Sequence, residues 1–350
     1  MSQPQVAVIL VNHREDAEHL EECMASLGRQ RYPRDCFTVF IVNNGVSQEG
    51  RRLVAQLAPT AHLLSTPRNL GWGAGNNRAV KVALKEGFEY LVMLNTDTVV
   101  DERWLPALVE AARAYPDRQI LQSKLLLYGT QKINSLGNRL QFLGYSYCLG
   151  YGREEALATD SQAMDCASGA SMLVKREVFE AIGLFRGEYF MYYDDVEFCW
   201  RARLAGFNVA LAGASVCYHK YDVRKPLRLL YYVERNRLLT LLALERVGTL
   251  LLIIPGLCLA EVVGGIYFAL KGWSWTRWQL LCYFTQRKTW RSIRVRRRQI
   301  HFLRKRKDAE VVKTFAGHIV FAQAAQPVLR YFCNPLLRCY WAIVRTLIVW

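Results

Sequence analysis

The segment Phe190-Met191-Tyr192-Tyr193-Asp194-Asp195-Val196-Glu197 places three carboxylates within four residues, directly behind an aromatic run. Acids favour the first turn of a helix through capping and the helix dipole, which is the ordinary explanation for such a cluster. Two adjacent acids behind apolar and aromatic residues allow more, because apolar walls tune a carboxylate towards general-base work. Asn95-Thr96-Asp97 closes an apolar strand. A carboxylate there, with a second oxygen ligand nearby, can hold a hard divalent cation against a diphosphate. His219 follows the apolar run Ala214–Tyr218 and ends the acid-rich part of the chain, a position compatible with a site.

These residues need elements to carry them. Val6–Val11, Phe37–Val42, His62–Ser65 and Tyr90–Leu94 read as strands, the first two as continuous apolar runs expected of strands buried on both faces. Helical spacing falls between them at Glu15–Leu27, Gln48–Leu57 and Gly75–Glu86. This alternation predicts an α/β fold with a parallel sheet and ligands at the carboxyl ends of its strands. The loops after those strands are polar: Asn12-His13-Arg14, Asn43-Asn44-Gly45, Pro67-Arg68-Asn69 and Asn95-Thr96-Asp97. Residues 131–160 lose the pattern and read as an irregular insertion. Regularity returns at Met164–Val174 and at Asp194–Gly206, the latter with helical spacing. The Gly-rich stretch from Asn69 to Asn77 invites a dinucleotide-binding reading. Its glycines run G-x-G-x-G and follow the third strand rather than the first, which argues against a nicotinamide cofactor.

The 350 residues carry 46 Lys+Arg, 30 Asp+Glu and 52% hydrophobic residues, too apolar for a disordered chain. Residues 1–220 hold 23 basic and 24 acidic side chains, and residues 221–350 hold 23 basic and 6 acidic. All the excess positive charge therefore lies in the last 130 residues. That split disfavours a nucleic-acid-binding protein and suits a neutral catalytic part joined to a basic, apolar part. The predicted domains are accordingly 1–225 and 226–350. Ten scattered Cys with no C-x-x-C pair give no zinc or redox motif and suit a reducing compartment. The amino-terminus shows no secretory signal.

In the second part, Leu227–Leu244 is a Leu-rich helix studded with Arg, and Val247–Leu270 is a 24-residue span with one charge, Glu261. At ~1.5 Å per residue that span reaches about 36 Å, enough to cross a bilayer. Pro255-Gly256 is expected to interrupt it, and basic flanks on both sides favour a re-entrant or interfacial arrangement over a single crossing. Residues 287–307 contain 11 Arg/Lys and no acid, interleaved with Trp290, Ile293, Val295, Ile300, Phe302 and Leu303. That mixture predicts an amphipathic helix on anionic membrane lipids.

Taken together, Val42-Asn43-Asn44-Gly45, the 69–77 stretch, Leu94-Asn95-Thr96-Asp97-Thr98, Gly169-Ala170-Ser171-Met172, Gly183-Leu184-Phe185, Phe190 to Glu197 and His219 resemble the family 2 glycosyltransferases. The nearest likeness is to bacterial rhamnosyltransferase-like members, over roughly residues 4–245 and including Tyr231-Tyr232 and Arg235-Asn236. The resemblance implies a GT-A fold: a Rossmann-like nucleotide-binding domain with a mixed sheet, followed here by a mainly helical membrane-associated region. It implies that Asn12, Asn44, Arg68, Asn69, Gly71, Asn76, Asn95 and Thr96 bind a nucleotide-sugar. It makes Asp97 and His219 ligands of a divalent ion (Mg2+ or Mn2+), and Asp195, with Asp194 beside it, the catalytic base. Two departures stand out. Asn95 occupies the first acid position of D-x-D, and Asp-Asp-Val-Glu replaces the commoner Glu-Asp-x-Asp. The expected activity is inverting transfer from dTDP-rhamnose or a UDP-sugar to a polyprenyl-linked or envelope glycan, at the cytoplasmic face of the inner membrane. A non-catalytic nucleotide-sugar-binding scaffold is the competing reading.

Overall fold

The computed structural model describes residues 3–13, 17–155, 164–221, 227–320, 327 and 329–350. The expected helix start at Glu15, and the composition change at Pro226, lie outside the described residues. The chain divides into two compact units. The first comprises Met1–Asn138, Cys148–Ala202 and Phe207–Tyr221; the second comprises Arg139–Tyr147, Arg203–Gly206 and Asp222–Trp350.

In the first unit, β1 (Val6–Asn12), α1 (Ala17–Gly28), β2 (Phe37–Asn44), α2 (Gln48–Leu57), β3 (His62–Thr66), α3 (Trp72–Glu86) and β4 (Tyr90–Leu94) follow in order. Next come β5 (Thr98–Val100), α4 (Trp104–Ala114), β6 (Ile120–Leu127) and β7 (Ile133–Ser135). β8 (Asn138–Leu140) and β9 (Ser146–Cys148), most of whose residues belong to the second unit, pair with each other as a separate two-stranded sheet. β10 (Ser171–Lys175), α5 (Arg176–Ile182), α6 (Asp194–Leu204) and β11 (Val209–His219) complete the series.

The main sheet has the order β3-β2-β1-β4-β10-β6-β11-β5, with β7 on β6. β1 to β4 are parallel, as the alternation of strands and helices predicts. β10 then runs antiparallel to both β4 and β6, so the sheet is mixed. In the 131–160 stretch the irregular reading gives way to three strands of three residues each. Such strands are too short for alternation to register in sequence. Only Ser171–Lys175 of the regular Met164–Val174 stretch is strand.

α3 begins at Trp72, three residues before the sequence signal, because two of its glycines serve packing rather than flexibility. A Cβ at Gly71, whose φ is +84°, would lie 1.9 Å from the Phe190 carbonyl oxygen. A Cβ at Gly73 would lie 2.4 Å from Asp194 Oδ1. The segment that carries the acids thus presses directly on the start of α3.

α6 is fixed by Glu197, the third acid of the cluster. Its carboxylate forms a two-pronged pair with Arg201 (Nε to Oε1 2.9 Å, Nη2 to Oε2 2.9 Å), and both side chains are buried. Arg201 also donates to the carbonyls of Ile182 and Leu184, tying α6 to the turn after α5. Glu197 is therefore structural, and Asp194 and Asp195 alone are left for chemistry.

The second unit holds α7 (Leu227–Leu244), α8 (Val247–Leu270), α9 (Ser274–Thr285), α10 (Arg287–Leu303), α11 (Asp308–Val312) and α12 (Asn334–Leu347). The expected break at Pro255-Gly256 does not occur: α8 runs unbroken through Pro255. Proline removes one backbone donor, which a long helix can survive. Gly256 there admits the rings of Phe142 and Tyr340 against the helix. Glu261 is ion-paired with Arg237 of α7 and with Arg277 of α9 (2.6 Å to the latter). Parts of the basic run are also internal, since Arg297 donates to the carbonyls of Leu242 and Glu245 at the end of α7. Arg291, Arg294 and Arg298 remain exposed.

Removing one partner of a buried ion pair leaves the other charge uncompensated, at a cost of about 3–5 kcal/mol. Glu197→Ala is therefore expected to destabilise the protein by that amount in chemical denaturation, as Arg201 loses its carboxylate partner.

Candidate functional site

The site gathers at the carboxyl ends of the central strands. Ser171 of β10 pairs with Leu94 of β4, and the next residue, Asn95, donates its backbone N–H to Ala170 O (3.1 Å). One residue earlier, the Gly169 N–H donates to Asp195 Oδ2 (2.9 Å). Strand pairing thus brings Asn95-Thr96-Asp97 and Asp195 to one end of the sheet. Asp195 is partly exposed and its Oδ1 accepts the Val196 N–H.

The second convergence comes from β5 and β11. Thr98 pairs with His219, and the Lys220 N–H donates to the Asp97 carbonyl (2.9 Å). This places His219 Nε2 3.4 Å from Asp97 Oδ1. The other ring nitrogen, Nδ1, lies 3.0 Å from Asn134 Oδ1. Two residues over 120 positions apart in sequence therefore present a carboxylate oxygen and an imidazole nitrogen to a common point.

Asn95 plays a different part. Its Oδ1 accepts a hydrogen bond from Trp72 Nε1–H (3.0 Å). Indole is a donor only, so the oxygen of Asn95 is turned towards Trp72 and its amide NH2 away from it. Among the described residues, no cluster of three or more His, Cys, Asp or Glu could hold a metal. Asp97 and His219 supply two ligands of a kind that suits a divalent cation. Mg2+-type sites commonly use one or two protein ligands and take the rest from substrate phosphates and water. The donor set fits a cation held jointly with a diphosphate.

The turn before α6 is strained. Phe190, Tyr192 and Tyr193 have φ of 65°, 62° and 68°, a region costly for bulky residues. The Phe190 carbonyl accepts the Trp72 N–H (2.7 Å), which holds the turn against α3. Asp194, 2% exposed, follows at once. Burial, then the neighbouring charge of Asp195, push its carboxyl well above the usual carboxylate range. The backbone N–H groups of Asp194 and Gly73 oppose this shift only partly, and neither carboxyl oxygen makes a hydrogen bond of good geometry among the described residues. Asp195, not Asp194, has the access that a base needs.

The expected nucleotide contacts separate into two groups. Arg68 and Asn69 are exposed on the loop after β3, and Thr96 and Asn95 are half-buried at the end of β4. Asn12 is buried at the end of β1, opposite Asn43. Asn44 differs from expectation: its amide donates to Asn69 Oδ1 and Gly71 O, and its oxygen accepts from Thr66 Oγ1 and the Leu70 N–H. All four of its hydrogen-bonding positions are used at 1% exposure, so it shapes the 66–71 loop. Asn76 is likewise buried, with its amide donating to the Trp72 carbonyl one turn back in α3. Trp72 and Asn134 were not singled out by the sequence. A Trp inside a Gly-rich stretch was a usable signal for the former; three-residue β7 gave none for the latter.

The mixed α/β sheet thus gathers acidic and polar side chains at its strand ends. Residues 4–237 match the family described as "Glycosyltransferase like family 2", and the chain belongs to that family. It is 25% identical over 225 residues to the low-salt glycan biosynthesis hexosyltransferase Agl10 of Haloferax volcanii, covering 62% of this chain and 68% of that protein. It is 27% identical over 224 residues to the N-acetylglucosaminyl-diphospho-decaprenol L-rhamnosyltransferase of Mycobacterium tuberculosis, covering 58% of this chain and 72% of that protein. Its fold is similar to that of GalNAc-T7 solved with UDP, GalNAc and Mn2+ (TM-score 0.54, 11% identity). That similarity covers 69% of this chain and 48% of GalNAc-T7, so the chain spans about half the length of that enzyme.

A buried acid with a raised pKa stabilises the fold at low pH and loses that contribution as pH rises from the ordinary carboxylate value through its own pKa. Asp194→Asn, which removes the ionisation, is therefore expected to flatten the fall in melting temperature above about pH 4. The variant should exceed the wild type in stability at neutral pH, as followed by thermal unfolding across a pH series.

Proposed function

We propose that this glycosyltransferase moves a hexose or deoxyhexose from a nucleoside-diphosphate sugar, dTDP-rhamnose or a UDP-sugar, to a hydroxyl of a polyprenyl-linked or envelope glycan, with inversion. The observation that carries the reading is the meeting of Asp195 with the Asn95–Asp97 strand end, beside the Asp97–His219 pair. A base and a diphosphate-holding pair on one sheet end are the two parts that a single displacement needs. Asp195 accepts the acceptor's hydroxyl proton as that oxygen attacks the anomeric carbon opposite the departing diphosphate. Asp97 and His219 would hold a divalent cation, which would supply charge compensation for the leaving group. Asn95, with its amide directed away from Trp72, donates to an oxygen of the donor, and Arg68 and Asn69 flank the nucleotide. The lipid-linked acceptor is supported by the decaprenol-linked substrate in the name of the mycobacterial relative.

The helical unit supports placement at a membrane. α8 is long and apolar enough to cross one by length and composition, and 17% of its most apolar window is buried. Val247, Leu251, Ile254, Val262, Ile266 and Leu270 form an exposed stripe along its whole length. α9 returns after Gly272 with only 12 residues, about 18 Å, and leads directly into Arg287-Lys288. A crossing α8 would leave that charged turn inside a hydrocarbon layer about 30 Å thick. An in-plane seat on the cytoplasmic leaflet avoids this, with the α8 stripe and Trp275 and Trp278 of α9 in the interface and exposed Arg side chains of α10 near anionic headgroups.

Asp195→Asn is expected to lower transfer about 10²–10⁴-fold while leaving nucleotide binding nearly intact, measured by product formation and calorimetry over a panel of nucleotide-sugars. Parallel loss of both would make the residue structural. The triple variant Leu251→Glu, Val262→Glu and Ile266→Glu should lose sedimentation with vesicles rich in anionic lipid while retaining its folded-state circular dichroism. Unchanged vesicle binding would remove α8 from the contact.

A further inference from the structure

We infer that Asn134 is a positioning residue for the His219 arm of the cation site: its side-chain carbonyl holds the Nδ1 proton, which leaves Nε2, facing Asp97, as the ring atom open to a divalent ion. The inference rests on the reading of Asp97 and His219 as cation ligands given above.

The geometry that supports it begins with β7. Its pairing with β6 matches Leu125 to Ser135 and Leu126 to Ile133, so the register slips by one and Asn134 is the unmatched residue of a bulge. Bulges re-aim a side chain out of the regular pleat and recur beside active sites. Here the side chain reaches across β6, which has β7 on one side and β11 on the other, to His219 at the end of β11. Both residues are buried. A regular pairing of three residues would have placed the amide elsewhere.

Chemistry then constrains the ring. A neutral imidazole has one N–H and one lone pair, and only the lone-pair nitrogen can bind a metal. Asn134 Oδ1, 3.0 Å from Nδ1, is an acceptor and selects the form protonated there. Asp97 Oδ1, 3.4 Å from Nε2, is a second acceptor, so Nε2 would carry the lone pair once a cation compensates that carboxylate. Metal-binding His residues are commonly oriented in this way by a carbonyl or carboxylate on the far nitrogen.

The same amide carries a cost that packing does not explain. Asn134 Nδ2 is buried and has no hydrogen-bond partner among the described residues. A residue kept only for packing would be better served by an apolar side chain of the same volume. The unpaired NH2 is what remains when the oxygen half of the amide is the half in use.

The test is Mn2+ binding by the full-length protein, followed by electron paramagnetic resonance of free Mn2+, alone and with UDP or dTDP. Asn134→Ala and the volume-matched Asn134→Leu are expected to weaken Mn2+ binding about 10–100-fold. Asn134→Asp, which keeps an acceptor and adds charge, should bind Mn2+ at least as tightly as the wild type. A purely structural role predicts the opposite order, with buried Asp the most damaging and Leu the mildest. His219→Ala is the reference. If His219→Ala loses Mn2+ binding while the Ala and Leu variants at 134 keep it, the positioning role is overturned alone. If His219→Ala binds Mn2+ like the wild type, or the wild type binds none in any of the three conditions, the cation-site reading beneath it falls as well. Ring-nitrogen NMR of the wild type with diamagnetic Mg2+ and UDP, with six His to resolve, adds a readout independent of any variant. A proton on Nε2 rather than Nδ1 of His219 would contradict the inference.

Discussion

The antiparallel insertion of β10 between β4 and β6 is the constraint on which the site depends. The four parallel strands place Asn12 and the Asn95–Asp97 turn at their carboxyl ends. They carry neither Asp194 nor Asp195. The reversed strand brings the start of β10, with Gly169 and Ala170 before it, alongside the end of β4. Gly169 then anchors Asp195 by a backbone hydrogen bond. A parallel β10 would present its other end there, and Asp195 would lose that anchor.

Around that join, strain and close packing substitute for flexibility. Three aromatic residues in a left-handed backbone conformation lead into α6, and their cost is of order 1–3 kcal/mol each. The turn persists because Gly71 and Gly73 let it lie directly on α3, and because the Glu197–Arg201 pair fixes the helix that follows. Asp194 is driven into the same crowded space, which explains why adjacent acids behave differently. One is buried and favours its proton; the other is partly exposed and bonded to backbone N–H groups.

The helical unit follows a separate logic. Its charges are largely spent on its own architecture where they are buried, as in Arg237, Glu261 and Arg277, and as in Arg297 at the end of α7. Its apolar residues are spent outwards along α8. That inversion of the usual soluble arrangement is the physical basis for reading a lipid surface into it.

Much of the scaffold was legible in the residues themselves. The buried strands β1, β2 and β4, and helices α2, α7 and α8, appear where apolar runs and helical spacing predict them, because burial on both faces or along one stripe leaves a local pattern. Asp97, Asp195 and His219 could be named from residue type and position. Their partners could not. Trp72 on Asn95, Asn134 on His219 and the saturation of Asn44 all arise from contacts between segments brought together by strand order and by a bulge. The direction of β10 was equally hidden, since a five-residue apolar strand reads the same in either direction. Composition and spacing determined which chemistry this chain can carry. Tertiary structure alone decided which of two neighbouring acids is accessible and which nitrogen of one imidazole faces its carboxylate, because burial and hydrogen-bond direction exist only between residues that folding has made neighbours.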